Sequence, residues 1–343
     1  MPVGILYSLT GFYGVMGMEM LNGALLGIEQ INADPSLDFE LHPIIMDPGG
    51  SIAHYREQCD ALLHRHGVRH IIGCYTSASR KQALPLVEGA NALLWHSARY
   101  EGFESSENVI YVGAAPNQHV VPLARYILDE LDPRIYCIGS NYIWTWETIR
   151  IMRAIMAAGG GQVVAEKLTP LGEEALDYLI DDIVRRAPGA VLNTLVGASA
   201  YSFYAAWHAA VAARPALAQI PMLSLSLCEA ELRLIGKHDG GHLVSSVYFQ
   251  SIDRPENVEF LSRYRRRFQP YGSPSVDTEA AYLCAMLLGR AIAEAGSDDV
   301  ASVREALYRD RYEGPQGPVH VDPENNHCYL TPRLARSTAA GSF

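Results

Sequence analysis

The sequence lacks several features that would assign it to a common functional class. No stretch approaches the roughly 18 consecutive apolar residues of a membrane-spanning helix. The six cysteines are scattered, with no C-x-x-C pair and no regular spacing, so they predict free thiols rather than a disulfide framework. The sequence also contains no G-x-S-x-G, H-E-x-x-H, Walker or G-x-G-x-x-G motif. The common hydrolase, zinc-peptidase and nucleotide-binding classes are therefore not indicated.

Positive charge is also scarce. The chain has 27 Lys and Arg against 38 Asp and Glu, which gives a formal net charge of −11. Because an acidic surface repels phosphate groups, this balance argues against direct binding of nucleic acid or anionic membranes. Hydrophobic residues make up 49% of the chain and charged residues 19%, which favours sizeable buried cores over long disorder. The 343 residues are too many for one small core and suit two lobes.

The amino-terminal segment does not have the character of a secretory leader. Residues 3–7 read as a β-strand and lack the charged residues that precede the apolar stretch of a leader. Together with the free-looking cysteines, this segment predicts a cytoplasmic protein. The alternative is a periplasmic or otherwise exported protein whose leader has been removed.

Segments with strand character alternate with segments of helical spacing along the chain. The predicted strands of the first series lie at residues 3–8, 40–46, 68–74, 92–96 and 109–113. Those of a second series, after Pro116, lie at residues 134–138, 162–168, 190–195 and 222–226. This alternation with short turns predicts an α/β fold of two doubly wound parallel-sheet lobes, with a ligand cleft between them.

The remainder of the chain is too short to form a third domain. From residue 242 onward the sequence predicts a strand, three helices and two late strands. We therefore expect this region to complete the two earlier lobes. The first lobe is predicted to comprise residues 1–116 and about 249–324, and the second residues 117–248 and about 325–343.

Polar and aromatic side chains recur where the predicted strands end, in both series. Ligands of open parallel sheets bind at these ends. Thr76 and Ser77 precede a predicted helix, where their hydroxyls and amides cap the helix, hold a carbonyl or carboxylate, or do both, because a cap leaves neighbouring donors free. No base–nucleophile pair is evident, which favours binding over catalysis, and no cofactor or metal site is predicted. The candidate ligand-binding residues are Tyr75, Thr76, Ser77, His96, Ser97, Ala98, Tyr142, Trp144, Gly197, Ser199, Leu227, Cys228 and Glu229.

Eight motifs between the first strand and about residue 333 carry a family resemblance. They are SLTG (8–11), MDPGG (46–50), GCYTSASRK (73–81), YEGFE (100–104), APNQ (115–118), GSNYI (139–143), TEAAY (278–282) and GPQGPVHVDPENNH (314–327). Together they resemble the type I periplasmic binding proteins, and among these the amide-sensor regulators of the AmiC type and the urea-binding proteins of ABC transporters. The resemblance implies two lobes joined by three crossovers that close over a small ligand.

The resemblance implies two functions. The first is a non-enzymatic sensor of a short amide, urea or similar polar ligand, whose hinge closure controls an RNA-binding antiterminator partner of an amidase or nitrile hydratase operon. The alternative is an exported solute-binding protein for urea, short amides or branched-chain amino acids, with an ABC permease as its partner. Neither implies membrane insertion, and the oligomeric state stays open, a homo-oligomer included. A hydrolase using Cys74 or Cys228 is a third hypothesis, but it lacks a recognisable base.

The chain departs from the family pattern at several pocket positions. Tyr75 and Ser77 fall on the tyrosine and serine of the family's G-C-Y-x-S segment, and Glu229 on the carboxylate of its T-T-S-E segment. The departures are His96, Ala98, Trp144 and Leu227, where the family has tyrosine, threonine, tyrosine and threonine. Loss of a hydrogen-bonding hydroxyl from a closed pocket weakens a ligand that used it by about 1–3 kcal/mol. We therefore expect a ligand somewhat different from acetamide.

Overall fold

The chain forms two compact units. A computed structural model describes residues 1–235, 240–268 and 272–343. Unit 1 comprises Met1–Ala115 and Ile252–Thr331, and unit 2 comprises Pro116–Ser251 and Pro332–Phe343. The chain therefore passes from one unit to the other three times.

The segment 325–331 lies in unit 1, whereas the sequence-based boundary near residue 324 assigned it to the second lobe. Its backbone explains the difference. His327 forms a parallel bridge with Tyr111, and Cys328 and Tyr329 pair antiparallel with the preceding strand of unit 1. A strand of two residues is too short to be recognised from alternating hydrophobicity.

The helices and strands follow the alternation expected from the sequence. The strands are β1 Pro2–Leu6, β2 His42–Met46, β3 His70–Gly73, β4 Leu93–His96, β5 Val109–Tyr111, β6 Arg134–Ser140, β7 Gln162–Thr169, β8 Ala190–Thr194, β9 Met222–Ser224, β10 Gly240–Ser246, β11 Tyr312–Gly314, β12 Gly317–Val321, β13 Cys328–Tyr329 and β14 Arg333–Thr338. The helices are α1 Gly14–Asn32, α2 Ile52–Asp60, α3 Ser77–Gly89, α4 Pro116–Glu130, α5 Ile143–Ala158, α6 Asp177–Arg186, α7 Ala198–Ala213, α8 Glu229–Leu232, α9 Pro255–Phe268, α10 Val276–Ala295 and α11 Val300–Arg309. None of the helices in the described ranges has both the length and the apolar character that a bilayer-spanning segment requires.

Unit 1 is built on a five-stranded sheet in the order β2-β1-β3-β4-β5. All four neighbouring pairs are parallel. Strands β3, β4 and β5 are buried along their whole length, as expected for parallel strands covered on both faces. A small antiparallel sheet, β11-β12-β13, completes the unit.

Unit 2 is built on a six-stranded sheet in the order β14-β10-β9-β8-β6-β7. Its strands run parallel except β14, which pairs antiparallel with β10 at the edge. The order places the carboxyl ends of β6, β8 and β9 side by side, so the loops that follow them lie at one edge of the sheet. The α/β fold with parallel sheets that the sequence predicts is thus confirmed.

Helix α1 lies very close to α10 in unit 1, and two glycines permit the approach. A Cβ atom at Gly23 would lie 2.0 Å from the carbonyl oxygen of Thr278. At Gly27 it would lie 2.7 Å from the Cβ atom of Ala285. Both distances are far below van der Waals contact, so a side chain at either position would force the helices apart.

Replacement of Gly23 tests this packing. We expect Gly23→Ala to lower the free energy of unfolding by about 3 kcal/mol, because the methyl group would meet backbone that cannot rotate away. Gly89→Ala is the matched control, since a Cβ atom there meets nothing within 4 Å, and it should change stability by less than about 1 kcal/mol. Urea unfolding followed by circular dichroism measures both. Equal stability of the two variants would contradict the packing argument.

Candidate functional site

Three of the predicted ligand-binding residues lie in the turn between β3 and α3 and at the first position of α3. Cys74, just before them, has φ +66°, which lies in the left-handed region that non-glycine residues rarely adopt. Thr76 is the N-cap of α3, and its hydroxyl oxygen accepts the N–H of Ser79 at 3.1 Å. Tyr75 is half-buried, with its ring edge-on to that of Tyr13 at 5.6 Å. The hydroxyl of Thr76 therefore serves the helix, as the capping interpretation predicts.

The hydroxyl of Ser77 has a partner within unit 1. It donates a hydrogen bond to the buried carboxylate of Glu101. The other oxygen of that carboxylate accepts from Arg80 Nη2 at 3.2 Å. Because the Ser77 proton is committed to Glu101, the remaining lone pairs of Ser77 Oγ are acceptors. This oxygen is therefore suited to an N–H group.

Arg80 lies at the centre of a buried polar cluster. Its Nε donates to Glu104 Oε1 at 2.7 Å and its Nη1 to His96 Nε2 at 3.2 Å. Its guanidinium carbon lies 4.6 Å from the centre of the Tyr100 ring. Lys81 donates to the same carboxylate of Glu104 at 3.1 Å from the more exposed side. A fully buried guanidinium is tolerated because carboxylates compensate its charge.

The Arg80 cluster also sets the protonation of its neighbours. Burial opposes ionisation of Glu104, but hydrogen bonds and charge from Arg80 and Lys81 outweigh it and lower the pKa of this carboxyl to about 2. Burial, aided by the Arg80 charge, lowers the pKa of His96 to about 3. His96 is therefore a neutral imidazole at neutral pH.

The other predicted residues of unit 1 lie in its interior. Ser97 Oγ lies 2.7 Å from the hydroxyl of Tyr7, and both groups are buried. Ala98 is buried with its backbone against Gly113, where a Cβ atom would approach it to 2.1 Å. Ligand contact by Ser97 and Ala98 stays a prediction, and each has a packing partner in the fold.

The loops after β6 and β8 in unit 2 bring together four predicted residues. Tyr142 is the N-cap of α5, and its ring stacks on that of Trp144 at 6.1 Å. Gly197 precedes α7 with φ +56° and ψ −139°, a conformation that essentially only glycine adopts. Ser199 follows in the first turn of α7 and is fully buried. The N–H of Val196 donates to Ser140 Oγ at 3.2 Å, which ties the two loops together.

The loop after β9 carries the last three predicted residues. Leu227 belongs to a hydrophobic core of unit 2. The thiol of Cys228 donates to the carboxylate of Glu231 at 3.6 Å. Glu229 is 6% exposed, and one of its oxygens accepts the N–H of Gln250 at 2.7 Å. Burial raises the pKa of this carboxyl to about 7, so Glu229 is poised between its charged and neutral forms near neutral pH.

The main residues missing from the sequence prediction are Arg80, Glu101 and Glu104. They occur in the motifs GCYTSASRK, where the prediction named only Tyr75, Thr76 and Ser77, and YEGFE, where it named no residue. A cation in one motif and two carboxylates in the other were the available signal, but nothing local in the sequence shows that the two motifs meet. The contacts join residues 21 and 24 positions apart.

Removal of the buried cation tests the cluster. We expect Arg80→Met to lower the free energy of unfolding at pH 7 by about 3–5 kcal/mol, because the buried carboxylate of Glu101 and the partly buried carboxylate of Glu104 lose their partner. Lys81→Met is the control, since the Lys81 side chain is 46% exposed, and it should cost less than about 1 kcal/mol. Urea unfolding of both variants measures the difference.

The loss of stability caused by Arg80→Met is expected to depend on pH in a defined direction. The folded-state pKa of Glu104, about 2, lies below its ordinary value of 4.5. Its contribution to wild-type stability is therefore present above pH 4.5 and lost as the pH falls toward 2. The loss of stability in Arg80→Met relative to the wild type should become smaller over this window, because the Glu104 carboxyl becomes protonated. A deficit that does not change between pH 7 and pH 3 would contradict the assignment.

Comparisons with known proteins agree with this architecture. The family model described as Periplasmic binding protein domain matches residues 1–343. Leu/Ile/Val-binding protein homolog 6 of Brucella abortus (strain 2308) is 24% identical over 285 residues, which cover 82% of this chain and 72% of the relative. An ABC-transporter solute-binding protein from R. palustris, solved with 4-hydroxybenzoate, has a TM-score of 0.87 at 20% identity over 97% of this chain and 92% of that one. LivJ from Streptococcus pneumoniae, solved with isoleucine, has a TM-score of 0.85 at 15% identity over 100% and 97%.

These likenesses support the coarser part of the resemblance noted in the sequence. The structural relatives share the fold at low identity, and those named above are solute-binding proteins rather than amide sensors. They give no specific support to the amide-sensor branch. Because the family model matches the entire chain, the protein belongs to the type I periplasmic binding protein family.

Proposed function

We propose that this chain is a solute-binding protein of the ABC-transporter type, which binds a small polar solute and delivers it to a permease. Membership of the periplasmic binding protein family is the observation that carries the proposal. The Brucella relative is named as a Leu/Ile/Val-binding protein, and the structural relatives hold isoleucine or 4-hydroxybenzoate. The proposed ligands are urea, short amides and branched-chain amino acids.

Two groups favour a ligand that carries nitrogen. Glu229 offers a buried carboxyl that an N–H or ammonium group would stabilise in its charged form. Ser77 Oγ offers lone pairs, since its proton is directed to Glu101. Urea, short amides and amino acids all supply nitrogen donors, whereas 4-hydroxybenzoate has none. This chemistry favours the nitrogen-bearing solutes.

The proposed role is binding without catalysis. Burial raises the pKa of the Cys74 thiol well above its ordinary value, so the thiolate is scarce at neutral pH. The Cys228 thiol is buried and donates to the carboxylate of Glu231. A carboxylate acceptor stabilises the protonated thiol rather than the nucleophilic thiolate. Neither cysteine thus has the surroundings of an activated nucleophile.

A cytoplasmic sensor with an antiterminator-type partner is the second candidate. All six cysteines are buried and form no disulfide, which is the pattern expected in a reducing compartment. The net charge of −11 also suits a basic, RNA-binding partner.

A panel of probes tests the ligand class. We expect at least one of isoleucine, acetamide and urea to raise the melting temperature and to bind in isothermal titration calorimetry. Glu229→Gln should lower the affinity for that probe by about 10-fold or more, because a charge-assisted hydrogen bond becomes a neutral one. The exposed Glu130→Gln is the control and should bind normally. Stabilisation by 4-hydroxybenzoate alone would contradict a nitrogen-bearing ligand, and no binding by any probe would overturn the proposed function.

Expression from the native gene separates the transporter component from the sensor. We expect the protein in the extracytoplasmic fraction, and uptake of the radiolabelled probe that binds should fall when the gene is deleted. Recovery from the cytosol in complex with a basic RNA-binding protein, with uptake unchanged, would favour the sensor instead. Cytosolic marker enzymes control the fractionation.

A further inference from the structure

We propose that the loops after β6 and β8 form a subsite for an oxygen acceptor of the ligand, a carboxylate or carbonyl oxygen. The indole N–H of Trp144 and the hydroxyl of Ser199 would donate to it. This inference rests on the proposed function, since it specifies which group of the bound solute the loops after β6 and β8 would hold.

Two buried donors at this edge have no partner within the described part of the protein. Trp144 is 4% exposed and Ser199 is fully buried. Neither Trp144 Nε1 nor Ser199 Oγ has a hydrogen-bond partner among the described residues. Buried polar groups are nearly always paired, and an unpaired N–H in the interior is destabilising. A ligand atom that accepts from both groups would remove this cost.

The fold places the two donors on neighbouring loops. Strands β6 and β8 are adjacent and parallel, with Gly139 opposite Thr194 near their carboxyl ends. Thr145, which follows Trp144, donates from its hydroxyl to the Thr194 carbonyl at 3.3 Å. Ser199 lies five residues beyond Thr194, in the first turn of α7. Trp144 and Ser199 are therefore held on the same edge by backbone and side-chain contacts.

The surrounding helix ends favour an oxygen over a cationic group. Trp144 lies in the first turn of α5 and Ser199 in the first turn of α7, where backbone N–H groups lack intrahelical acceptors. Neither N-cap residue, Tyr142 or Gly197, makes a side-chain cap, and neither first turn contains an acidic residue. The positive ends of both helices thus attract negative charge. An indole N–H can only donate, so it cannot receive an ammonium or amide N–H.

Trp146 provides a contrast on the same helix. Its side chain is 49% exposed, and its indole N–H donates to Asn141 Oδ1 at 2.8 Å. The two tryptophans are two residues apart, yet only the exposed one has an acceptor among residues 1–235, 240–268 and 272–343. Trp146→Phe therefore removes a satisfied N–H, whereas Trp144→Phe removes the unpartnered one and keeps an aromatic ring.

Calorimetry with isoleucine, acetamide, urea and 4-hydroxybenzoate tests the subsite. For each probe that binds the wild type, we expect Trp144→Phe to weaken binding by about 10- to 100-fold, the loss typical of a buried hydrogen bond to a charged or strongly polar acceptor. Trp146→Phe should stay within about twofold of the wild type. If only isoleucine and 4-hydroxybenzoate bind more weakly to Trp144→Phe, the acceptor in the subsite is a carboxylate. If acetamide and urea also bind more weakly, a carbonyl oxygen is accepted there as well.

Indole NMR on the wild type adds a second readout, which reports on the Trp144 N–H directly rather than through the affinity of a variant. The chain has four tryptophans, and Trp144→Phe identifies the Trp144 resonance. A bound probe should move the Trp144 indole proton downfield and leave that of Trp146 in place. If a probe binds while the Trp144 signal and the affinity of Trp144→Phe are unchanged, the subsite is wrong and the proposed function stands. If no probe binds the wild type, both the subsite and the proposed function are wrong.

Discussion

The candidate site of unit 1 is organised by one buried cation, the guanidinium of Arg80. A guanidinium removed from water requires counter-charges, and Glu101 and Glu104 supply them from the loop after β4. That loop is therefore drawn onto the start of α3 by charge compensation rather than by its own turn preferences. The direction of the Ser77 hydroxyl follows from this arrangement. Burial is the main cause of the low pKa of His96, and the Arg80 charge adds to it. Arg80, Glu101 and Glu104 were not predicted as site residues, yet they influence the hydrogen bonding of Ser77 and the protonation of His96.

The predicted site residues of the two units differ in how completely their polar groups are paired. In unit 1 the hydroxyls of Ser77 and Ser97 and the imidazole of His96 all have partners within the protein. In the described part of unit 2, Trp144 and Ser199 retain donors without one. A paired group contributes mainly to the rigidity of its loop, whereas an unpaired buried donor discriminates strongly between ligands that do and do not satisfy it. Selectivity is therefore expected to depend more on unit 2.

Much of the fold was predictable because it depends on local periodicity. The predicted strand at 68–74 contains the observed His70–Gly73, and the predicted strand at 190–195 contains Ala190–Thr194. The carboxyl ends of parallel strands then identify the neighbourhood of the site. The roles of individual side chains were not predictable, because they depend on distant partners. Ser97, for example, pairs with Tyr7 90 residues earlier.

The function was likewise predictable only in part from the sequence. Family membership depends on motifs spread over the whole chain, and the match to the family model confirms it. The choice between sensor and transporter component depends on partners outside the chain, so the same fold accommodates both. The relatives with solved structures, at 20% and 15% identity, share the fold. The buried free thiols and the acidic charge are features that a sensor would share.

The close packing of α1 against α10 has a consequence for biosynthesis. The 244 positions from Asn32 to Val276 separate the two helices, and at about 5–20 residues per second their synthesis takes about 12–50 s. During that interval the glycine-lined face of α1 has no partner. Residues 1–115 of unit 1 are synthesised first, but the rest of that unit follows only after Pro116–Ser251, the main segment of unit 2. Most of unit 2 is therefore available for folding before unit 1 is complete. We therefore expect unit 2 to acquire structure before unit 1, and nascent unit 1 to be the segment that depends on chaperones.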